Sequence, residues 1–540
     1  MALPIIPLRS RSFHWKIQLL GGFCLILLAF CSTLVYAFKH HQSPVQFQEY
    51  TAQIVQQHKG QGKPFFLLFS AQWCHWCKVF EEKTLSRQRV HSYLNEHFLN
   101  VFIDADIHSG AYLKYKAKGV PYTVFLNPDG SLYFKYSGAL YEEDFLEVIE
   151  GVQENVAASR TLYEEESELQ DYQPPSVLKQ ERLASLPEEF HAGMLDNVDR
   201  KEFGLGKGEK AILPATFLYL LRSSSGEEHT EHQRWIRETL RKAIAHIHDP
   251  VEGGFFRFAE KRDWQIPHYE KMADLNAGAL LLLYTLNQEE PSLELQTAAE
   301  QTLHHLTTTL YDPEIGAFLS FQEADPFYYF FNANRRKKTP PPPVIQKGFT
   351  DRLAITLRYL IDTLDHSTRF GLQKKITRSL DFLSKMILDQ GRIARYYSLE
   401  SGQWQGTGTL GDHATLAILF SKAAARFKQA RYSQAADRVL DSAKVKFYNA
   451  ETKIFLDPDL EADTNIEYLM EMNSWLVLAL MRRDPDNPAI PTILTYFSGM
   501  AELLEDRVWG TRDWQFAEHY VPFLFAADQF LNRESAVPSE

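Results

Sequence analysis

Apolar and polar positions follow three different patterns along the chain. Between Ile17 and Phe38 no residue is charged. In the next hundred residues short apolar runs alternate with amphipathic stretches, and the remainder follows a helical period almost throughout. These patterns predict a membrane-crossing segment, an α/β domain, a linker and an all-helical domain. Their expected bounds are 17–38, 45–156, 157–187 and 188–540.

The α/β region is built around one strongly apolar strand. The continuous run Phe65–Ser70 is typical of a buried central strand, and the motif Cys-His-Trp-Cys at 74–77 follows it at once. We expect the helix after this motif to break near Ser86, which would cap a second piece ending near His97. Further strands are predicted at 101–106, 122–126 and 132–136, the last two joined by an Asn-Pro-Asp-Gly turn, with a closing helix over 141–152.

The C-terminal region is predicted to consist of paired helices. A turn followed by an aromatic, strand-like piece recurs between the pairs, near 248–256, 311–318, 390–394 and 448–455. Because the repeat spacing varies, a closed α/α toroid of about five or six hairpins is favoured over an open solenoid. The periodicity places the helices at 211–222, 231–247, 272–287, 294–310, 349–365, 371–388, 411–428, 432–447, 467–482, 488–505 and 513–531.

The charges around the apolar segment predict its orientation. Arg9, Arg11 and Lys16 precede it, whereas Lys39 follows it with fewer basic neighbours. By the positive-inside rule residues 1–16 are cytoplasmic and the body is exported, on the periplasmic side of a bacterial inner membrane. The alternative is a signal peptide cleaved after Ala37, which would release a secreted protein. A retained single-pass anchor is preferred because the apolar run exceeds a usual signal core.

Composition excludes several classes of protein. The chain has 540 residues, 45% hydrophobic and 23% charged, as expected for a globular protein of more than one domain. Its net charge of −12 argues against nucleic acid as a partner. Of its four cysteines, Cys24 and Cys31 lie in the apolar segment. The remaining pair excludes a disulfide-stapled scaffold, and without a second C-x-x-C it does not predict a zinc site.

The remaining pair, Cys74 and Cys77, predicts redox chemistry. At a helix N-terminus the first sulfur is favoured as a thiolate, so Cys74 is the expected nucleophile and Cys77 the resolving thiol. A redox-active disulfide of this kind needs no other cofactor. A protonated His75 would lower the pKa of Cys74 further. Trp73, with Trp76, would form an apolar rim for a peptide, or simply pack.

The pieces around the motif resemble thioredoxin-like proteins, especially the periplasmic domains of bacterial transmembrane thiol reductases. KPFFLLFSAQWCHWCK, VFIDAD and GVPYTVFLNPDG occur in the matching order. The resemblance implies a cis peptide bond before Pro121, opposite the dithiol. Thioredoxins carry a buried acid where this chain has Leu68. Glu81, one turn beyond Cys77, is the candidate substitute, although an exposed helix carboxylate is the preferred interpretation.

A second resemblance joins the two regions. The order of CHWC, GGFFRF and the segment Trp264–Met272 is similar to the YyaL-type family, whose animal branch is called spermatogenesis-associated. That family fuses a thioredoxin-like domain to a six-hairpin glycosidase-like barrel. The chain departs from it at Ile345-Gln346, at Asp351-Arg352 and at Gly119-Val120-Pro121, which suggests a distant, membrane-tethered relative.

Glycosidase and epimerase barrels use carboxylates or histidines at the rim that carries the loops, and the resemblance suggests where to look. His268 and Glu270 are two apart in an extended segment and would point the same way. Asp412 and His413 begin another helix. The alternative is that Asp412 caps this helix and that the others form a buried polar network in a barrel that only binds.

The sequence therefore favours a membrane-anchored thiol–disulfide oxidoreductase of the cell envelope. Cys74, Cys77 and Pro121 act on exported protein thiols or disulfides, and a membrane electron donor is a further expected partner. The toroid binds a partner or a glycan-bearing substrate. Two alternatives remain open: a carbohydrate-active toroid with an accessory thioredoxin-like domain, and a non-catalytic scaffold.

Overall fold

The structure is a computed structural model that describes residues 43–157, 172, 174–458, 465–503 and 514–535. The predicted cytoplasmic stretch 1–16, the anchor at 17–38 and most of the acidic part of the linker lie outside these residues. No helix within the described part of the chain is both long and apolar enough to cross a membrane.

The first domain is a five-stranded mixed sheet flanked by helices. Its strands lie in the order β1-β3-β2-β4-β5, with β1–β3 and β2–β3 parallel and the other pairs antiparallel. The middle strand is buried along its whole length, as its continuous apolar run predicts. The strands are β1 Gln48–Glu49, β2 Phe65–Ser70, β3 Leu99–Asp104, β4 Tyr122–Leu126 and β5 Leu132–Ser137.

The helix that starts at the dithiol motif is interrupted as expected, but by a different device. A π-helical turn, Glu81–Leu85, directly follows the helix His75–Phe80. The next helix has Arg87 as its N-cap residue, without a side-chain cap. The prediction that Ser86 caps this helix is wrong, because its hydroxyl donates instead to the Glu82 carbonyl oxygen at 2.5 Å. The helices are α1 Ile54–His58, α2 His75–Phe80, α3 Gln88–His97, α4 Ser109–Lys114 and α5 Glu142–Ala157.

The second domain is a closed α/α toroid. Within the described residues six helices form an inner ring in which each contacts the next and the sixth contacts the first. These inner helices are buried on several sides, so they are apolar over most of their surface. The inner helices are α7 Pro214–Ser223, α9 Ala273–Glu289, α13 Thr350–Thr363, α15 Leu410–Phe427, α17 Ile466–Arg483 and α19 Trp514–Ser535.

An outer helix packs against each inner one and buries a single face. In the outer helix Leu372–Leu388, for example, the residues buried at helical spacing are Leu372, Ile376, Leu380 and Leu383. The first outer helix begins before the boundary predicted at Glu188 and contains Pro187, which made its periodicity look interrupted. The outer helices are α6 Gln180–Asn197, α8 Gly226–Ile247, α10 Leu293–Thr308, α14 Leu372–Leu388, α16 Ala430–Phe447 and α18 Ala489–Leu503.

The recurring loops lie between an outer helix and the next inner helix. Asp249, Asp312 and Asn449 each accept a hydrogen bond from the backbone N–H two residues later, which sets the turn. A short antiparallel bridge then closes each of these three loops. Asp199 occupies the same place in a copy at 198–205 that the sequence analysis did not identify. These loops, with short elements in them and between them and the inner helices, form one rim of the toroid. The short elements are the strands Phe258–Ala259, Pro267–His268, Lys271–Met272, Tyr311–Asp312, Ala317–Phe318, Phe321–Gln322, Lys347–Phe349, Tyr396–Ser398 and Gln403–Gln405, and the helices α11 Pro326–Tyr329 and α12 Ala333–Arg336.

Candidate active site

The two cysteines stand at the start of α2 with the geometry expected of an exchange dithiol. Cys74 is the N-cap residue, and its Sγ accepts a hydrogen bond from the Cys77 N–H at 3.2 Å. Its thiol donates to the Val120 carbonyl oxygen at 3.4 Å. The Val120–Pro121 peptide bond is cis, as the resemblance implies. Both cysteines are free thiols in this structure.

The rim of the toroid covers this dithiol. Cys74 is 3% exposed and Cys77 2% exposed. Trp73 and both cysteines form one apolar cluster with toroid residues that come just before inner helices or in the short strands between them. The toroid members are Met272, Phe321, Ile345, Phe349 and Tyr396. A disulfide in a folded partner protein has no route to Cys74 in this arrangement.

Polar contacts hold the two domains together around the cluster. Lys78, one residue after the motif, forms an ion pair with Glu323. On the other side Lys347 Nζ lies 3.4 Å from Asp104 Oδ2, and Arg395 Nε donates to the Asp106 carbonyl oxygen at 2.8 Å. The surface is therefore matched in charge as well as in shape.

Trp73 belongs to this contact. Its indole N–H donates to Asp106 Oδ2 at 2.8 Å, and the Arg257 guanidinium lies 5.0 Å from its ring centroid. Phe321 packs on it at a centroid distance of 5.8 Å. Trp76, by contrast, is 39% exposed. In this arrangement Trp76 is available as a rim for a peptide, whereas Trp73 already packs against the toroid.

Burial raises the pKa of Cys74, whereas its position at a helix start predicts a lowered pKa. Desolvation raises the pKa of its thiol well above the usual value, and the neighbouring Cys77 and Glu270 add to the rise. The hydrogen bond from the Cys77 N–H opposes it but is the smaller effect. Burial likewise lowers the pKa of His75, with Lys78 contributing, which disfavours the protonated form that would lower the pKa of Cys74. Burial under the toroid therefore disfavours the Cys74 thiolate.

Glu270 comes from the toroid and reaches the dithiol motif. It is buried, and its Oε1 accepts a hydrogen bond from the His75 N–H at 3.4 Å. No described residue gives Oε2 a hydrogen bond. Burial raises the pKa of this carboxyl, opposed by Arg257. A residue nominated for sugar chemistry thus lies against the redox motif.

Glu81 is buried rather than exposed. It is 3% exposed, and neither carboxyl oxygen has a hydrogen-bond partner among the described residues. Desolvation, followed by Glu82, raises its pKa to about 8. The preferred sequence interpretation, an exposed helix carboxylate, is therefore wrong. A carboxyl with this pKa, one turn after Cys77, is suited to exchanging a proton near neutral pH.

Comparison with known proteins assigns the two domains. Residues 30–172 match the Thioredox_DsbH family model, described as "Protein of unknown function, DUF255". The chain is similar to "Spermatogenesis-associated protein 20" of Rattus norvegicus, 24% identical over an alignment of 322 residues, which covers 54% of this chain and 40% of that protein. It is also 24% identical over 260 residues to "Uncharacterized protein B0495.5" of Caenorhabditis elegans, covering 44% of this chain and 35% of that one. The matched part thus spans less than half the length of these relatives.

A solved D-mannose isomerase superposes with a TM-score of 0.50 and 11% identity, covering 67% of this chain and all of that one. At this identity the likeness concerns the fold alone. The chain is a thioredoxin-like domain fused to an α/α toroid. Both predicted folds and their order are confirmed.

The other histidines nominated in the toroid, His268 and His413, lie in different contacts. His268 stacks on Phe258 at a centroid distance of 4.0 Å, and burial, with Arg257, lowers its pKa to about 4. His413 is turned toward the outer helix α16, where its Nε2 lies 3.0 Å from Ser442 Oγ. It therefore belongs to a contact between helices and not to a cleft.

Asp412 lies in the first turn of α15 and takes part in its capping, close to the alternative interpretation, although Thr409 is the N-cap. Thr409 and Asp412 form a reciprocal capping box, and Asp412 Oδ1 accepts from Arg395 Nη1 at 2.6 Å. Arg395 also lies 3.0 Å from Asp351 Oδ2. A salt bridge between Arg352 and Asp274, at 2.9 Å, continues the ionic network along the covered rim. Sequence analysis noted Asp351 and Arg352 only as departures from a family pattern.

One cluster among the described residues has the composition of a metal site, namely His191, Glu228 and His232. Its hydrogen bonds do not fit a metal. The Trp235 indole donates to His232 Nδ1 at 3.1 Å, which puts the His232 proton on Nε2, facing His191 Nδ1 at 3.0 Å. Metal binding through His232 Nε2 would move that proton to Nδ1, against the Trp235 N–H. The cluster is a satisfied buried hydrogen-bond chain.

Proposed function

We propose that the chain is a thiol–disulfide oxidoreductase whose toroid controls access to the dithiol. The observation that carries this proposal is the Cys74 thiol at a helix start, beside the Cys77 N–H and the Val120 carbonyl. The match to the Thioredox_DsbH model supports the same chemistry. The burial of both cysteines under toroid residues supports the control of access.

The proposed reaction begins when the two domains separate. Cys74 loses its proton and attacks one sulfur of a substrate disulfide, forming a mixed disulfide and releasing the other substrate sulfur as a thiolate. Cys77 then attacks the Cys74 sulfur, and the second substrate thiolate leaves. The substrate gains two electrons and two protons, and the enzyme retains a Cys74–Cys77 disulfide. A dithiol donor regenerates the enzyme by the reverse sequence, and oxidation of substrate thiols is the same path run backwards.

Two carboxyl groups serve this cycle in the proposal. Glu81 takes the proton of Cys77 in the second step, in place of the acid that Leu68 replaces. Its unpartnered, buried carboxyl with a pKa of about 8 supports this role. Glu270 has the opposite effect, because its charge beside Cys74 disfavours the thiolate while the rim is closed. Opening removes both that charge and the desolvation, which activates Cys74.

The proposed location is the extracytoplasmic face of a bacterial inner membrane, with 17–38 as the anchor. The uncharged segment and its basic N-terminal flank support this orientation. The proposed partners are exported protein disulfides and a membrane dithiol donor. Accessibility of Cys74 to a membrane-impermeant thiol reagent in intact spheroplasts, after Glu323→Gln opens the rim, tests the topology. Labelling only after lysis would contradict it.

The reduction potential of the full-length chain tests the redox function. Equilibration with glutathione, using Cys74→Ser as the blank, is expected to give a reversible two-electron couple. A reduction potential of about −270 mV would indicate a reductase, and one of about −120 mV would indicate an oxidant. No reversible couple, even in the opened Glu323→Gln variant, would refute the redox proposal.

A carbohydrate-active toroid is the second candidate, supported by the ionic network of Asp351, Arg395 and Asp412 at the rim. In the closed arrangement this network contacts the thioredoxin-like domain through Arg395 and Asp106. Sugar turnover that survives Cys74→Ser with Cys77→Ser, and is lost in Asp412→Asn, would favour this function. Turnover that is absent from both the closed and the opened chain would exclude it.

A further inference from the structure

A cavity lies away from the dithiol site, at the far end of the toroid axis. It has a volume of about 540 Å³ and is lined by the inner helices. The lining residues Asp362, Lys422 and Arg482 lie in the second halves of α13, of α15 and of α17. The dithiol, by contrast, is covered by residues that precede inner helices, such as Met272. The two sites therefore lie at opposite ends of the ring.

The cavity has an apolar floor and a cationic wall. Trp475, Leu478 and Phe525 supply much of the apolar surface. The charged lining consists of five basic and two acidic side chains, and its excess of positive charge stands out in a chain whose net charge is −12. These are Arg222, Arg358, Lys422, Arg482 and Arg533, with Asp362 and Asp528.

Both acidic side chains are already engaged. Asp362 lies 2.5 Å from Lys422 Nζ and 3.9 Å from Arg222 Nη2. Asp528 accepts a hydrogen bond from the Tyr219 hydroxyl at 3.0 Å. Asp362 is thus shared between two cations, and Asp528 is held by the Tyr219 hydroxyl.

Two guanidinium groups of the lining form no salt bridge among the described residues, although the charge of Asp362 partly offsets the desolvation of Arg482. Within the described residues no carboxylate lies within salt-bridge distance of Arg358 or Arg482. Arg358 lies over the Trp475 ring, 4.0 Å from its centroid, which holds it at the cavity wall. Desolvation lowers the pKa of Lys422 to about 8, and Arg358 and Arg482 add to this effect. An anion placed here would relieve the repulsion among these cations.

Helix dipoles do not account for this arrangement. Arg482 stands in the last turn of its helix, where a cation is favourable in any protein. Arg358 and Lys422, however, lie more than a turn before the ends of α13 and of α15. The dipole effect falls off within the last turn, so it does not explain them.

We propose that this cavity binds a small organic carboxylate with an apolar body. Its carboxylate lies between Arg358 and Arg482, which offer planar donor forks suited to two oxygens. Its apolar part packs against Trp475, Leu478 and Phe525. The size of the cavity is within the range of small-molecule sites.

Calorimetric titration of the full-length chain with 4-phenylbutyrate tests the proposal, with the uncharged 4-phenylbutan-1-ol as the matched ligand. We expect saturable binding of the carboxylate at least about tenfold tighter than that of the alcohol. Arg482→Gln and Arg358→Gln should each weaken carboxylate binding about tenfold or more, and Arg482→Lys should retain part of it. Binding is compared only for variants whose thermal midpoint of unfolding equals that of the unsubstituted chain.

Arg483→Gln is the control, because Arg483 is the next residue of the same helix but pairs with Asp437 at 2.7 Å and does not line the cavity. It should leave binding unchanged. The proposal is overturned by equal binding of acid and alcohol, by equal effects of Arg482→Gln and Arg483→Gln, or by the absence of saturable binding.

Discussion

The ion pair between Lys78 and Glu323 offers a direct way to open the rim over the dithiol. The two side chains are 20% and 11% exposed, so each is largely removed from water in the closed arrangement. Replacing Glu323 by Gln leaves the Lys78 ammonium buried without its partner. Separation of the domains would return that ammonium to water. The substitution should therefore favour the open arrangement.

The size of the effect follows from the burial of the pair. Breaking a fully buried ion pair costs about 3–5 kcal/mol, whereas an exposed pair is worth less than about 1 kcal/mol. For this intermediate burial we expect a shift of about 1–2 kcal/mol toward the open arrangement, which is a factor of about 5–30 in its population. The rate of Cys74 alkylation by iodoacetamide should rise by the same factor, provided that opening precedes reaction.

The assay includes a matched pair that lies away from the rim. Arg89 and Glu143 form an ion pair at 2.9 Å, but their side chains are 61% and 77% exposed. Arg89→Gln should leave the alkylation rate unchanged. Lys78→Gln should raise it, and the double variant of Lys78 and Glu323 should gain less than the two single effects added together. An unchanged rate in Glu323→Gln, or an equal rise in Arg89→Gln, would show that the closed rim does not limit access.

Three further predictions follow from buried carboxyl groups. Glu270→Gln removes a charge that raises the pKa of Cys74 in the closed arrangement, so the ultraviolet absorbance of the Cys74 thiolate in the unreacted chain should appear at lower pH, and an unmoved titration contradicts the contact. The folded pKa of Glu81, about 8, exceeds the unfolded value, so stability should fall by a few kcal/mol between pH 4.5 and 8; urea unfolding of Glu81→Gln should lack that fall. Asp249 pairs with Lys271 and with Arg336, both at 2.8 Å, in a buried cluster, so Asp249→Asn should lower the unfolding free energy by about 3–5 kcal/mol. A loss below about 1 kcal/mol in denaturant titration would contradict that estimate.

Most of the fold could be predicted because the elements carry strong local signals. The run Phe65–Ser70 is apolar at every position, and it forms the buried middle strand. The inner and outer helices were located to within a few residues from their period, as with the predicted 371–388 and the observed Leu372–Leu388. The exception was Gln180–Asn197, where Pro187 and the adjoining acidic linker masked the amphipathic pattern.

The interior of the site was harder to predict because it depends on contacts between distant segments. His75 and Glu270, which are hydrogen-bonded, stand 195 residues apart in the chain. Periodicity reports only which face of an element is apolar, not which element covers it. For the same reason the sequence predicts an exposed carboxylate at Glu81, although its helix turn lies against α5 and buries it.

The raised pKa of Cys74 could not be predicted from the sequence for the same reason. A helix N-terminus favours a thiolate by a modest amount, and this effect can be read from sequence because it depends on neighbours along the chain. Desolvation opposes it and is the larger effect on Cys74, which is buried in a cluster that includes toroid residues. Both effects act on the same sulfur, and separation of the domains removes only the desolvation. A dithiol that is inert when covered and reactive when uncovered therefore requires no change within the thioredoxin-like domain, since movement of the toroid is sufficient.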